Sequence, residues 1–138
     1  ETKAPLIIDA ATLTGAAVAA TGGDYSALFT MDETRHKQTL EAAERTSEPV
    51  WRLPLEPWHQ EKCPSAFADT ANSRTQKGGG PGGASNAAGF LARFVDNGGQ
   101  GWLHFDLAGA YNGSANGEWA TGATGLGIAT IADLIQAG

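Results

Sequence analysis

The sequence predicts an α/β fold of layered strands and helices, and three observations lead there. Short apolar runs such as Leu6-Ile7-Ile8 and Trp102 to Leu107 suit strands buried on both faces. Stretches with helical spacing alternate with them along the chain. Two strands also end in small and hydroxyl-bearing residues: Asp9-Ala10-Ala11-Thr12-Leu13-Thr14-Gly15 and Trp102-Leu103-His104-Phe105-Asp106-Leu107-Ala108-Gly109. Such exits let another molecule approach the backbone, which an ordinary core strand does not need. Far apart in sequence, the two segments are expected to form walls of one cleft.

Pro5 to Asp9 reads as the first strand. Gly15 to Ala20, with small side chains, reads as a short buried helix ended by Gly22-Gly23. Tyr25 to Thr30 is the second strand. Thr30 and Glu33 have the spacing of a capping box, so a helix is expected from Thr30 as N-cap to about Ser47. His36, Leu40 and Ala43 would share its inner face, and Pro49 stops it. Val50 to Leu55, punctuated by Pro54, is an edge or connecting segment. Glu56 to Lys62 suits a short helix, and Phe67 to Thr70 a short strand or loop.

A glycine-rich stretch, Lys77 to Gly83, then leads into Ala84 to Val95. There Ala87, Leu91 and Phe94 recur at helical spacing and the opposite face is small, predicting a largely buried helix ended by Gly98-Gly99. Trp102 to Leu107 is the third strand, and Tyr111 to Trp119 a polar loop. Leu126, Ile128, Ile131, Leu134 and Ile135 supply the apolar face of a final helix.

Bulk properties narrow the function. One domain with a core of useful size fits 138 residues. A net charge of −6 with 17% charged residues argues against a nucleic-acid binder. No apolar run approaches the roughly 20 residues that span a bilayer. Cys63 stands alone, which fits a reducing compartment and a small apolar filler. The four tryptophans read as core or interface residues. The chain opens Glu1-Thr2-Lys3 without Met and enters a strand at once, which suggests a piece of something larger; a trimmed terminus gives the same opening.

No reactive constellation stands out. His36, His59, His104 and Cys63 lack ligand spacing, so no metal site is expected in this segment. His104 and Asp106 share a strand face, as a hydrogen-bonded structural pair or as a base with its orienter. Thr12 and Thr14 suit hydroxyl contacts to a ligand or plain strand-to-helix capping. The glycine stretch resembles loops that cradle phosphate, but its lysine precedes the glycines, contrary to the P-loop order. A free-standing α/β module that binds an anionic ligand at Gly78 to Gly83 is the alternative reading.

Read in order, the segments carry a resemblance. Asp9 to Ala16, Val50-Trp51-Arg52-Leu53-Pro54-Leu55, Ala68-Asp69-Thr70-Ala71-Asn72, Gly82-Gly83-Ala84, Ala87 to Leu91, Phe94-Val95, Trp102 to Gly109 and Gly122 to Gly125 follow the order of the leucyl aminopeptidase family (M17). The resemblance covers nearly the whole chain. Within the family, Tyr111 and the ending Trp119 to Gly127 are similar to the bacterial peptidase B subgroup, from which Gly109 departs.

The resemblance implies a three-layer α/β fold with a mixed sheet flanked by helices, residues 1–138 being the C-terminal portion of the catalytic domain. It implies a cytoplasmic aminopeptidase that removes N-terminal residues from peptides. Two divalent metal ions, manganese or zinc, would serve the intact enzyme, usually a homohexamer of two trimers, with no nucleic acid or membrane partner. The family's metal ligands, catalytic Lys and bicarbonate-binding Arg lie in motifs upstream of Glu1, so this segment alone is expected to be inactive and to hold no metal. What carries over is the substrate side: Thr12, Leu13 and Gly15 beside the peptide and its first side-chain pocket, Ala108 and Tyr111 at that pocket's floor and wall.

Overall fold

The computed structural model describes residues 4–74, 80–115, 117 and 119–137. Four strands form one sheet: β1 (Ile7–Ala11), β2 (Ser26–Phe29), β3 (Val50–Arg52) and β4 (Trp102–Asp106). Their spatial order is β1-β4-β2-β3. β1 runs parallel to β4 with Asp9 opposite His104, β4 is antiparallel to β2, and β2 is parallel to β3. The sheet is therefore mixed. A short hairpin, β5 (Tyr111–Asn112) and β6 (Gly122–Ala123), follows; its first strand opens the Tyr111 to Trp119 segment expected to be a polar loop, and its second lies just beyond it.

The two inner strands, β4 and β2, are buried along their whole length, the polar Ser26, His104 and Asp106 included, as inner strands of a sheet covered on both faces are. Side chains alternate between faces. Trp102 and Phe29 pack on one face against α1 (Gly15–Thr21) and α3 (Gly83–Ala92). Leu28, Leu103 and Phe105 pack on the other against α2 (Glu33–Thr46) and α4 (Ile128–Ala137). The result is the expected three-layer α/β architecture.

Several local expectations need correction. Thr30 does not cap α2: its hydroxyl donates to the Trp102 carbonyl and accepts from the Asp32 N–H. Asp32 takes the N-cap instead, accepting from the N–H groups of Thr34 and Arg35. The inner face of α2 is Thr39, Ala42 and Ala43, while Leu40 is exposed. α1 buries only Ala17, and Gly22 closes it with φ 70°.

In α3 the small face is the buried one: Ala84, Ser85, Ala88, Gly89 and Ala92 turn inward, and Phe94 is 69% exposed. The reason is close approach. A Cβ on Gly89 would stand 2.5 Å from the His59 carbonyl carbon, in the short 3-10 turn Pro57–Glu61. Larger side chains on that face would push the turn away, so helical spacing of the large residues pointed to the wrong side. α3 also ends at Ala92, ahead of Gly98-Gly99, which belong to a separate 3-10 turn. In α4, Thr130 and Leu134 are buried while Ile128 and Ile135 are exposed. Polar contacts set that orientation: Thr130 meets the Thr46 hydroxyl at 3.0 Å, and its N–H donates to Glu48. Of the tryptophans only Trp102 is core; Trp51, Trp58 and Trp119 are exposed.

Candidate functional site

β1 and β4 point the same way, so their carboxyl ends, Ala11 and Asp106, lie side by side. The crevice beyond such ends is where layered α/β proteins tend to bind ligands. Here the ends are joined by one side chain. Asp106 is 2% exposed. Its Oδ1 accepts from the N–H groups of Leu13 at 3.0 Å, Thr14 at 3.3 Å and Ala108 at 3.1 Å. Its Oδ2 accepts from the Thr14 hydroxyl at 2.7 Å. That hydroxyl in turn caps α1 by accepting from the Ala17 N–H. A carboxylate has about four acceptor positions, and Asp106 uses them to bind both segment exits into one platform.

His104 and Asp106 share a face but do not pair with each other. His104 is fully buried and its Nδ1 meets Asp9 Oδ1 at 2.5 Å. Asp9 Oδ2 accepts from the Trp102 indole N–H at 2.6 Å. Asp9 thus ties β1 to β4 midway, and Asp106 ties them at the end.

Beside this platform lies a cleft of about 650 Å³. Leu13, Thr14, Gly15 and Ala16 form one wall, and Ala87, Phe90 and Leu91 of α3 another. Cys63 closes it together with Asn72, Ser73 and Arg74. Cys63 is the buried apolar filler expected, at 3% exposure. A smaller hollow between α2 and α4 is ringed by Arg35, Gln38, Glu41, Arg45 and Asp133. Another hollow near Trp119 involves Asp24, Glu48 and Asn112. Both are more polar, and neither touches the platform.

The sequence-predicted residues are placed as follows. Leu13 and Gly15 line the cleft; Thr12 is exposed on the same loop. Ala108 is brought to that loop through Asp106. Tyr111 is 62% exposed at the start of the hairpin and does not line this cleft. Gly109 lies against Gly22 and Gly23, where a Cβ would come within 2.7 Å of the Gly22 carbonyl oxygen. The glycine-rich stretch is only partly described: residues 75–79, including Gly78 and Gly79, lie outside the described residues. Sequence reasoning missed Asp106 as the organiser of the platform and Asp9 as the partner of His104. The signal for the second was present, since Asp9 and His104 sit in the two quoted motifs.

Charge at the site belongs to few groups. Among the described residues no group of three or more His, Cys, Asp or Glu could hold a metal ion. The donors among the described residues therefore do not fit the two metals that the resemblance implies. Away from the cleft, burial pushes the Asp32 carboxyl up, but N–H donors from Arg35, Gly101 and Thr34 outweigh it and hold it below its ordinary value. Arg52 does the same for Glu33 through a side-chain hydrogen bond.

Comparison with known proteins gives a consistent result. Residues 1–132 match the Cytosol aminopeptidase family, catalytic domain. The chain is 50% identical over 135 residues to Peptidase B of Cronobacter sakazakii, which covers 98% of this chain and 31% of that protein. It is 51% identical over 135 residues to Peptidase B of Klebsiella pneumoniae, with the same coverage. Its fold is similar to a variant of tomato leucine aminopeptidase, with a TM-score of 0.82 and 37% identity over 97% of this chain and 25% of that one. It is also similar to the bottromycin maturation enzyme BotP in complex with Mn, with a TM-score of 0.83 and 38% identity over 96% of this chain and 29% of that one. The chain spans about a third of the length of the curated relatives it matches. With the ordered motifs, the mixed sheet and the matched residues in agreement, the chain belongs to the cytosol aminopeptidase family, M17.

Proposed function

We propose that residues 1–138 are the C-terminal portion of the catalytic domain of a two-metal aminopeptidase of the peptidase B type. In this reading the intact enzyme hydrolyses the N-terminal residue from peptides. The chain supplies the substrate side: Thr12, Leu13 and Gly15 present backbone to the peptide, and Ala108 and Tyr111 bound its first side-chain pocket. The rest of the protein, upstream of Glu1, supplies the metal ligands and the activated water. The ions are manganese or zinc; the similarity to a protein described in complex with Mn supports the first. The intact enzyme works in the cytoplasm as a homohexamer, and this chain alone is inactive. No helix among the described residues is long and apolar enough to cross a membrane.

One observation carries the reading beyond family membership: a single buried carboxylate, Asp106, gathers the amides of Leu13, Thr14 and Ala108. The Leu13–Thr14 loop, which lines the cleft, and the exit of β4, which does not, are therefore held together beside it, an arrangement suited to positioning a peptide against a separately held reactive centre. Among the described residues no observation favours an anionic ligand at Gly80 to Gly83.

The experiment compares two proteins, this chain and the longer protein that contains it, on a panel of N-terminal Leu, Asp, Lys and Gly peptides with manganese or zinc added. The longer protein is expected to release the N-terminal residue only with metal, and this chain to release none. Metal-supported hydrolysis by this chain alone, or none by the longer protein, would contradict the reading.

A further inference from the structure

The two outer strands of the main sheet are finished differently. β3 is three residues long and is bounded by Pro49 and Pro54. Short strands flanked by proline are how proteins guard a sheet edge against further pairing. β1 has five residues, no proline and no buried residue, and among the described residues it pairs with β4 alone. Its one charge, Asp9, is engaged by Trp102 and His104. The Ile7 N–H donates to the Gly101 carbonyl, and the Ala11 carbonyl accepts from the Leu107 N–H. In a parallel pair alternate residues turn their main-chain groups to the partner. Ile7, Asp9 and Ala11 therefore face β4, while the N–H and C=O groups of Ile8 and Ala10 form an outward row.

The helix layer stops on the same flank. In α4, Thr130 meets the Thr46 hydroxyl and Asp133 pairs with Arg45, so both face α2. Leu134 is buried in the core cluster that Ile131, Leu6 and Ile8 join. At about 100° per residue, Ile128, Ala132 and Ile135 fall on the side away from α2. All three are exposed, the two isoleucines at 69% and 63%. α2 packs on β3 and β4, so that side of α4 is the β1 side of the sheet. An open strand edge and an isoleucine stripe thus adjoin where the sheet and its helix layer end together. Two layers that stop at one place mark where a core continues into further chain.

We propose that this flank is the seat of the rest of the longer protein: a segment upstream of Glu1 adds a strand along Ile8 and Ala10, and apolar side chains from the same part cover Ile128 and Ile135. The length for this exists in the relatives, of which this chain spans about a third. Because β1 runs into the Thr12 to Gly15 loop, the added strand brings that part beside one wall of the cleft. The inference rests on the reading of this chain as part of a longer aminopeptidase.

The test uses the longer protein. Its crystal structure is expected to show main-chain hydrogen bonds of about 2.9 Å between Ile8 and Ala10 and a strand from upstream of Glu1. Solvent along that edge, or a strand from within residues 1–138 or from a second copy, overturns the proposal. Thermal unfolding gives a second readout. Ile128→Asp is expected to lower the melting temperature of the longer protein by about 5 °C or more, and Ile128→Leu to leave it within about 2 °C. An Ile128 open to water would tolerate Asp, which suits the first turn of a helix, so an unchanged value for Ile128→Asp overturns the proposal. If Ile128→Asp yields no folded protein while Ile128→Leu folds like the parent, the covering stands. If the edge is paired but the longer protein hydrolyses no peptide, the functional reading fails and the contact stands. If the protein hydrolyses peptides and the edge is bare, this inference alone fails.

Discussion

At the entry to β4, Asp32 accepts from the N–H groups of Thr34, Arg35 and Gly101. At its exit, Asp106 accepts from those of Leu13, Thr14 and Ala108. Each carboxylate thus gathers three backbone donors at one end of the same strand. Asp32 is partly exposed and caps a helix, so water can replace much of what it offers. Asp106 is buried, and its donors on Leu13 and Thr14 come from more than 90 residues away in sequence. The entry end fastens a helix; the exit end builds a surface. The difference teaches that equal numbers of backbone donors carry unequal consequences, set by burial and by what the donors belong to.

The comparison breaks most sharply at Asp106. Asp106→Ala leaves three amides and the Thr14 hydroxyl without their acceptor, and this chain is expected to lose about 4 kcal/mol in denaturant unfolding. Asp106→Asn keeps Oδ1 and should lose only about 1–2 kcal/mol. Equal losses in the two variants would mean that bulk, not acceptance, is what Asp106 supplies. Gly89→Val should cost about 3 kcal/mol, because its Cβ would sit 2.5 Å from the His59 backbone. An unchanged unfolding midpoint would show that the 57–61 turn is not held against α3.

Asp32→Ala should cost about 2 kcal/mol at neutral pH, read from the same denaturant curves. The folded state holds the Asp32 carboxyl below its ordinary value of 3.8. Its contribution is therefore complete above that value and is lost as pH falls through it and lower. The gap between the parent and Asp32→Ala should be full at about pH 7 and shrink below about pH 4; a gap that widens there contradicts the sign. Smallest is Arg45→Ala, which removes an exposed pair with Asp133 and should change stability by about 0.5 kcal/mol or less.

The contrast between the strand ends also explains what could be read from the residues. Layer order, three of the strands in the main sheet and one of the two expected cleft walls, the Leu13 to Gly15 loop, were legible, because apolar runs and glycine punctuation are local signals; the second wall is α3, not the exit of β4. The helix faces were less so. In α3 and α4 the large residues at helical spacing, Phe94, Ile128 and Ile135, lie outside, since close backbone approach at Gly89 and hydroxyl pairing at Thr130 decided which side turns in. Thr30 and Glu33 carried the capping-box spacing, yet the Thr30 hydroxyl was already engaged by the Trp102 carbonyl across the sheet. Asp106 could be placed on a face but not given its partners, because those partners become neighbours only when β1 and β4 pair.

The claim that the Thr12 to Gly15 loop is a substrate wall meets its most direct test at Gly15. A Cβ there meets nothing within 4 Å, so Gly15→Val should fold like the parent and project its side chain into open space beside the cleft. Thermal unfolding of this chain is expected to stay within about 2 °C of the parent, while KM of the longer protein for N-terminal Leu peptides rises about tenfold or more. An unchanged melting temperature together with unchanged KM and kcat across the peptide panel would contradict the account.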